Sequence, residues 1–94
     1  MITIYKYKLS ITDVQTIKMS KGAKVLDIQF DKSTPTQLSM WAAVDTELEV
    51  EQRVFRMFGT GRPVEREGAD KLLYLSTIQC FKGLVVHVFE YKIV

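Results

Sequence analysis

The residues best suited to ligand binding lie in the segment Gly59-Thr60-Gly61-Arg62-Pro63. Two glycines one residue apart let the backbone turn tightly and expose N–H groups, and a neighbouring guanidinium can hold a phosphate or a carboxylate. The segment lacks the Gly-x-Gly-x-x-Gly continuation into a helix that is typical of a dinucleotide-binding loop. A β-turn whose glycines only satisfy backbone geometry is the favoured interpretation. A ligand or partner contact at Gly59, Thr60, Gly61 and Arg62 is the functional alternative.

Three further side chains are predicted to support that contact. Arg53 and Arg56 are three residues apart in a strand-like segment, so the two-residue period of a strand places them on opposite faces. A solvated arginine whose stem covers apolar surface is the favoured interpretation. An arginine beside aromatic residues is also typical of a protein interface or a base-stacking surface. Trp41, the single tryptophan, completes the predicted partner-binding set.

The sequence does not predict catalytic chemistry. General acid–base catalysis needs two titratable groups brought together, and no such pair recurs at a suitable spacing. His87 is the single histidine, and without a companion ligand nearby in the sequence it predicts a packed, hydrogen-bonded core or interface residue, with no metal site. Cys80 is interpreted as a buried small hydrophobe. We therefore expect a protein that is not an enzyme and that needs no cofactor.

The bulk composition predicts one soluble domain over residues 1–94. The chain has 94 residues, 47% of them hydrophobic, which suffices for one two-layer core. Its formal net charge of +2 is too small to indicate a nucleic-acid partner by itself. One cysteine and no secretory pattern favour a reducing cytosol. No stretch approaches the roughly 18 apolar residues of a membrane helix, so no membrane partner is expected.

Seven short segments are predicted to be strands from their alternation and apolar character. They are Met1–Leu9, Val14–Met19, Lys24–Phe30, Leu38–Val44, Arg53–Phe58, Leu72–Phe81 and Leu84–Ile93. Their connections are too short for parallel crossovers, so their neighbours should be antiparallel. The predicted fold is all-β, as a single antiparallel β-sandwich or a partly open barrel of about six or seven strands. Thr46–Gln52 is left open as a turn, a ragged strand start or one helical turn.

Three finer predictions concern individual strands. Gly22 should supply the positive φ of a hairpin that joins the second and third strands. Leu26, Ile28 and Phe30 should share one face of the third strand. The last strand is apolar on both faces in its first half, so it should lie in the centre of a sheet, and Lys82-Gly83 should close its hairpin with the preceding strand.

Several phrases of the chain are familiar in this order. They are Ile4-Tyr5-Lys6-Tyr7, Gly22-Ala23-Lys24-Val25-Leu26, Trp41-Ala42-Ala43-Val44-Asp45, Gly59-Thr60-Gly61 and His87-Val88-Phe89-Glu90. Together they resemble, over nearly the whole chain, a family of small proteins without established activity that is found in bacteriophage and prophage genomes. The resemblance implies a phage-encoded protein in the host bacterial cytoplasm. The family often has His where Arg62 stands and Pro where Ser20 stands, so if Arg62 matters, the family's shared role cannot depend on an imidazole at position 62.

The leading hypothesis is a non-enzymatic phage accessory protein that acts by binding. It would inhibit or redirect a host protein, or sequester a small ligand. A homo-oligomer is predicted because the last strand is apolar and many apolar residues remain for outer faces. One alternative is a nucleic-acid-binding module that uses the alternating lysines and tyrosines of Met1–Leu9 and the basic turn Lys18–Lys24. Another alternative is a virion or assembly component.

Overall fold

The computed structural model of the protein describes residues 1–92 and contains seven strands in two antiparallel sheets. The strands are β1 (Ile2–Ser10), β2 (Val14–Ser20), β3 (Lys24–Phe30), β4 (Gln37–Asp45), β5 (Val50–Gly59), β6 (Leu72–Gln79) and β7 (Val85–Tyr91). The three-stranded sheet has the order β1-β4-β3, and the four-stranded sheet has the order β2-β5-β7-β6. The sheets do not close into a barrel, so the predicted all-β sandwich is confirmed and the barrel alternative is not adopted.

The core lies between the two sheets and follows from the alternation of each strand. In β4, Leu38, Met40, Ala42 and Val44 point inward and are almost fully buried. In β7, Val86 and Val88 do the same from the opposite sheet. Side chains of the two inner faces thus fill a single apolar layer, as in other sandwiches. β7 pairs with β5 on one side and β6 on the other, which confirms its predicted central position.

The predicted hairpin between the second and third strands is wrong. Gly22 does adopt a positive φ of 75°, but the chain there passes from one sheet to the other. The Lys21 N–H donates to the carbonyl of Glu49 at 2.8 Å, so the chain continues its pairing with the β5 side beyond the end of β2. Ala23 is buried in the connection. The turn therefore closes one end of the sandwich, because the apolar faces of β2 and β3 must cover the core from opposite sides.

The prediction that Leu26 shares one face of β3 with Ile28 and Phe30 is also wrong. In the pairing of β3 with β4, Val25 lies opposite Ala42 and Asp27 lies opposite Trp41, so Leu26 is an extra residue. This β-bulge shifts the alternation by one position. Leu26 is exposed as a result, whereas Val25 packs against the core. Ile28 is buried as expected.

The remaining differences concern strand ends. Thr46–Gln52 contains a turn and then the start of β5, which begins at Val50 rather than Arg53. β6 ends at Gln79, and the predicted β6–β7 hairpin is present with the short 3₁₀ helix Phe81–Gly83 in its connection. A second 3₁₀ helix, Ala69–Lys71, precedes β6. Ile93, the predicted end of the last strand, lies outside the described residues.

Over residues 1–92, no helix is long and apolar enough to cross a membrane.

Candidate functional site

A row of aromatic and arginine side chains crosses the outer face of the four-stranded sheet. Phe89 on β7 lies directly between Arg56 on β5 and Tyr74 on β6. Its ring makes edge-to-face contacts with Tyr74 and Phe58, at centroid distances of 5.6 and 5.8 Å. The Arg56 guanidinium lies 5.1 Å from the centroid of the Phe58 ring. These contacts are favourable aromatic and cation–π geometries, and we call Arg56, Phe58, Tyr74 and Phe89 the aromatic surface.

The alternation of β5 and β7 places these residues outside. Phe55 and Met57 fill the core from β5, so Arg56 and Phe58 must point outward. The connection from β5 to β6 then folds over part of this face, where Val64 and Gly68 line a small cavity with Phe58. Phe58 is consequently buried, whereas the Tyr74 side of the row stays open and Tyr74 is 56% exposed.

A chain of hydrogen bonds borders the aromatic surface. The Tyr74 hydroxyl and the Thr77 hydroxyl are 2.7 Å apart, and the Thr77 hydroxyl lies 3.0 Å from His87 Nδ1. His87 Nε2 lies 2.7 Å from the Thr60 hydroxyl. Since a neutral imidazole donates at one ring nitrogen and accepts at the other, both hydroxyls can be satisfied. His87 is hydrogen-bonded as predicted, but it stands on the outer face of β7 and outside the core.

The Gly59–Arg62 segment is a β-turn. The Arg62 N–H donates to the carbonyl of Gly59 at 3.1 Å, and Gly61 has the positive φ of 84° that favours glycine at the third position of such a turn. The Arg62 amide is thus used within the turn. The Arg62 guanidinium donates to both carboxylate oxygens of Asp13, and the distance from Arg62 Nη2 to Asp13 Oδ2 is 2.8 Å. These contacts agree with the structural interpretation of the segment, and its role as a ligand contact stays a prediction.

The Asp13–Arg62 pair predicts a specific pH response. Hydrogen bonding to Arg62 lowers the pKa of Asp13 below its ordinary value of about 3.9. The pair therefore stabilises the folded protein fully above the pKa that Asp13 has in the unfolded chain. This stabilisation is lost as the pH falls through the lower pKa that Asp13 has in the folded protein. We expect Arg62→Ala to raise the pKa of Asp13 toward its ordinary value, measured by NMR titration of the carboxyl carbon.

Asp31 is the control for this titration. Its pKa is also lowered, but by hydrogen bonds from Ser33, so Arg62→Ala should leave its titration unchanged. An Asp13 titration that does not move in Arg62→Ala, or an equal change at Asp31, would contradict the assigned cause.

Arg53 lies inside the end of the sandwich, not at a solvated rim. Its side chain is 10% exposed, and its Nε and Nη2 both donate to the Glu90 carboxylate, with 2.9 Å from Nη2 to Oε1. Its Nη1 donates to the carbonyl of Ala23 at 2.8 Å. The hydrogen bond to Glu90 raises the pKa of Arg53. The solvated interpretation is therefore wrong for Arg53, because Glu90 supplies a buried countercharge.

The sequence does contain one signal for this pair. Glu90 follows the same alternation as Val86 and Val88, which are buried on the inner face of β7. A carboxylate on a core face requires a buried partner, and an arginine is the most suitable cation. The alternation therefore predicts that Glu90 has a partner, although it does not identify Arg53.

Trp41 lies on the opposite side of the molecule, on the outer face of the three-stranded sheet. The Lys6 ammonium is 5.7 Å from its ring centroid. The predicted binding residues therefore do not form one site. Arg56 and the Gly59–Arg62 turn share one region, since the Arg56 guanidinium also donates to the Asp13 carbonyl at 3.4 Å. Arg53 and Trp41 are elsewhere.

Residues 1–93 match the family described as a domain of unknown function, DUF7352. The chain is a member of the DUF7352 family. Comparisons with curated proteins and with solved structures found no match. In the described part of this DUF7352 domain, no group of three or more histidine, cysteine or acidic side chains is arranged to hold a metal ion. The candidate site is the aromatic surface.

Proposed function

We propose that this DUF7352 domain is a non-enzymatic binding module that contacts another protein through its aromatic surface. The observation that carries the proposal is the exposed Tyr74 ring, which packs against Phe89, with Arg56 on the other side of Phe89. Tyrosine and arginine are enriched among the residues that dominate protein–protein binding energies. The aromatic rings would supply apolar contact area, and the guanidinium would supply directional hydrogen bonds.

The side chains of this surface are held in place before any partner arrives. Tyr74 is fixed by the ring contact with Phe89 and by the hydrogen bond with Thr77. Thr77 is fixed in turn by His87, which bonds to Thr60 in the turn after β5. Ordering a flexible side chain on binding costs about 0.5–1.5 kcal/mol, and a pre-ordered one avoids most of that cost. The hydrogen-bond chain thus favours a contact role for Tyr74.

The resemblance to phage and prophage proteins supports a setting for this binding. We place the domain in the host bacterial cytoplasm, as an accessory protein that inhibits or redirects a host protein. Sequestration of a small ligand is less well supported. The Arg53 guanidinium lines the cavity near Gly22, but it already donates hydrogen bonds to Glu90 and to the Ala23 carbonyl. A virion partner could use the same surface, and mass spectrometry of purified particles would detect the domain there.

Photocrosslinking from position 74 tests the proposed surface. A photoreactive phenylalanine analogue replaces Tyr74 in one protein and Leu26 in a control, because Leu26 is similarly exposed on the other sheet. We expect one host protein to crosslink from position 74 and not from position 26. Excess unlabelled protein should suppress this crosslink by competing for the host protein. The Arg56→Ala variant should need at least a tenfold higher concentration to do so, which corresponds to about 1.4 kcal/mol of binding free energy. Equal crosslinking from both positions would contradict the proposal.

Nucleic-acid binding is the second candidate, and it is favoured by one observation on the other sheet. Lys6 and Lys8 alternate onto the outer face of β1, and Lys6 lies over Trp41 of the neighbouring strand. Tyr5 and Tyr7 belong to the opposite, inner face, so lysines and tyrosines of this strand do not form one surface. Trp41 would supply the stacking ring instead.

The fluorescence of Trp41 tests this candidate directly, since it is the single tryptophan. Stacking of single-stranded DNA on the ring should quench the emission, and salt should reverse the quenching as counterions compete. Lys6→Gln should weaken the effect, whereas Lys71→Gln in the 3₁₀ helix before β6 should not. Unchanged emission at low salt would remove the nucleic-acid candidate.

A further inference from the structure

Strand β1 is a long and regular sheet edge. Within residues 1–92 it pairs on one side only, with β4, through nine consecutive residue pairs without a register shift. The edge strands β3 and β6 each contain a register shift, and β2 pairs over seven residues. β1 also exposes large apolar side chains, with Ile2 74%, Ile4 59% and Tyr5 47% exposed. A sheet edge with a row of unpaired backbone groups is a template for pairing with another strand.

The hydrogen bonds at both ends of β1 show which backbone groups face this edge. The Met1 carbonyl accepts from Thr46 N–H at 2.9 Å, and Ile11 N–H donates to the Thr36 carbonyl at 3.0 Å, both beside β4. Successive residues of a strand direct their backbone groups to opposite sides. Odd-numbered residues therefore bond to β4, and even-numbered residues face the free edge.

The side chain of Gln15 limits the length of the free edge. Its amide nitrogen donates to the Ser10 carbonyl at 2.7 Å, and its amide oxygen accepts from the Ser10 N–H at 3.0 Å. Ser10 is even-numbered, which agrees with the assignment of the edge. Four residues thus keep both backbone groups free for a further strand: Ile2, Ile4, Lys6 and Lys8.

These four residues are complementary to themselves in one antiparallel register. When Ile2 pairs with Lys8 of a second copy and Ile4 pairs with Lys6, every free N–H and C=O finds a partner, with two hydrogen bonds in each pair. No lysine then lies opposite another lysine. A register that pairs Lys6 with Lys6 of the second copy would place like charges opposite each other. A register that pairs Ile4 with Ile4 would leave Lys8 without a partner residue.

We propose that two copies of the chain dimerise by antiparallel pairing of β1 with β1, with Ile4 opposite Lys6 and Tyr5 opposite Tyr5. The two three-stranded sheets join edge to edge into one continuous sheet. The exposed Tyr5 rings meet on the inner side, and the aliphatic stems of the lysines cover the isoleucines on the outer side. The dimer uses neither the aromatic surface nor its hydrogen-bond chain, so it does not depend on the proposed function.

Engineered disulfides test the register. In a Cys80→Ser background, Tyr5→Cys should oxidise rapidly to a covalent dimer, because non-hydrogen-bonded residues lie about 4.5 Å apart between Cα atoms, within the range that a disulfide spans. Thr3→Cys and Tyr7→Cys should each crosslink poorly alone, but a mixture of the two proteins should form a heterodimer. Crosslinking of Tyr5→Cys no faster than of Leu26→Cys would overturn the proposal.

Charge substitutions provide an independent test without cysteines. Ile4→Glu should strengthen the dimer and Ile4→Lys should weaken it, each by about fivefold in the dissociation constant, because position 4 faces Lys6 of the second copy. Analytical ultracentrifugation of the tag-free full chain measures both, and circular dichroism confirms that each variant is folded. A strictly monomeric parent protein at submillimolar concentration would overturn dimerisation, and weakening by both substitutions would overturn the register.

Discussion

Replacing Glu90 with leucine should lower the free energy of unfolding by about 3–5 kcal/mol, because it removes the buried, bidentate countercharge of Arg53 and leaves only the half-exposed Glu51 carboxylate, 3.6 Å from Arg53 Nη1. The side chains of Arg53 and Glu90 are only 10% and 4% exposed, so water can replace little of the lost interaction. Arg53→Met should cost a similar amount, because it leaves the buried carboxylate of Glu90 with only the half-exposed Lys92 ammonium, 3.5 Å away, as a partner. Urea unfolding at neutral pH, followed by circular dichroism, measures both changes.

The double variant distinguishes a buried ion pair from ordinary packing. Arg53→Met together with Glu90→Leu removes both charges, so it should recover most of the stability that each single variant loses. Arg62→Met is the matched control, because Arg62 is also paired with a carboxylate but is 53% exposed. It should change stability far less than Arg53→Met. Additive losses in the double variant would show that the two side chains are not coupled in this way.

Phe55→Ala should destabilise the protein by about 3–5 kcal/mol, through lost burial and the cavity that remains. Phe55 is fully buried on the inner face of β5, and it lies opposite Gln15 of β2 and Glu90 of β7. Its ring therefore packs at the point where three strands of the four-stranded sheet meet. A shift of the urea midpoint without a change in its slope would identify this as a loss of stability.

Phe81→Ala is the control for this second prediction. It removes the same atoms from a side chain that is 55% exposed beside Lys82, so its cost should be small. Comparable losses for Phe55→Ala and Phe81→Ala would mean that the core does not lie between the two sheets as described.

The local pattern of the sequence determined the strands and their buried faces. Seven strand segments were predictable because alternation and turn residues act over a few neighbouring positions. The β6–β7 hairpin was predictable for the same reason, because its two strands are joined by a short connection at Lys82-Gly83. The pairing of Tyr74 with Phe89 in that hairpin also depends on the bulge between Tyr74 and Ser76, which local alternation does not reveal.

Tertiary structure decided which strands are neighbours and which polar side chains meet. The sequence pattern led to a hairpin at Gly22 where the chain crosses between sheets, and it did not reveal the bulge that exposes Leu26. The pairs Arg53–Glu90, Arg62–Asp13 and Thr60–His87 join residues 37, 49 and 27 positions apart. Alternation specifies which face of a strand a side chain occupies. It does not specify which distant strand lies opposite, because that depends on how the two sheets share one core.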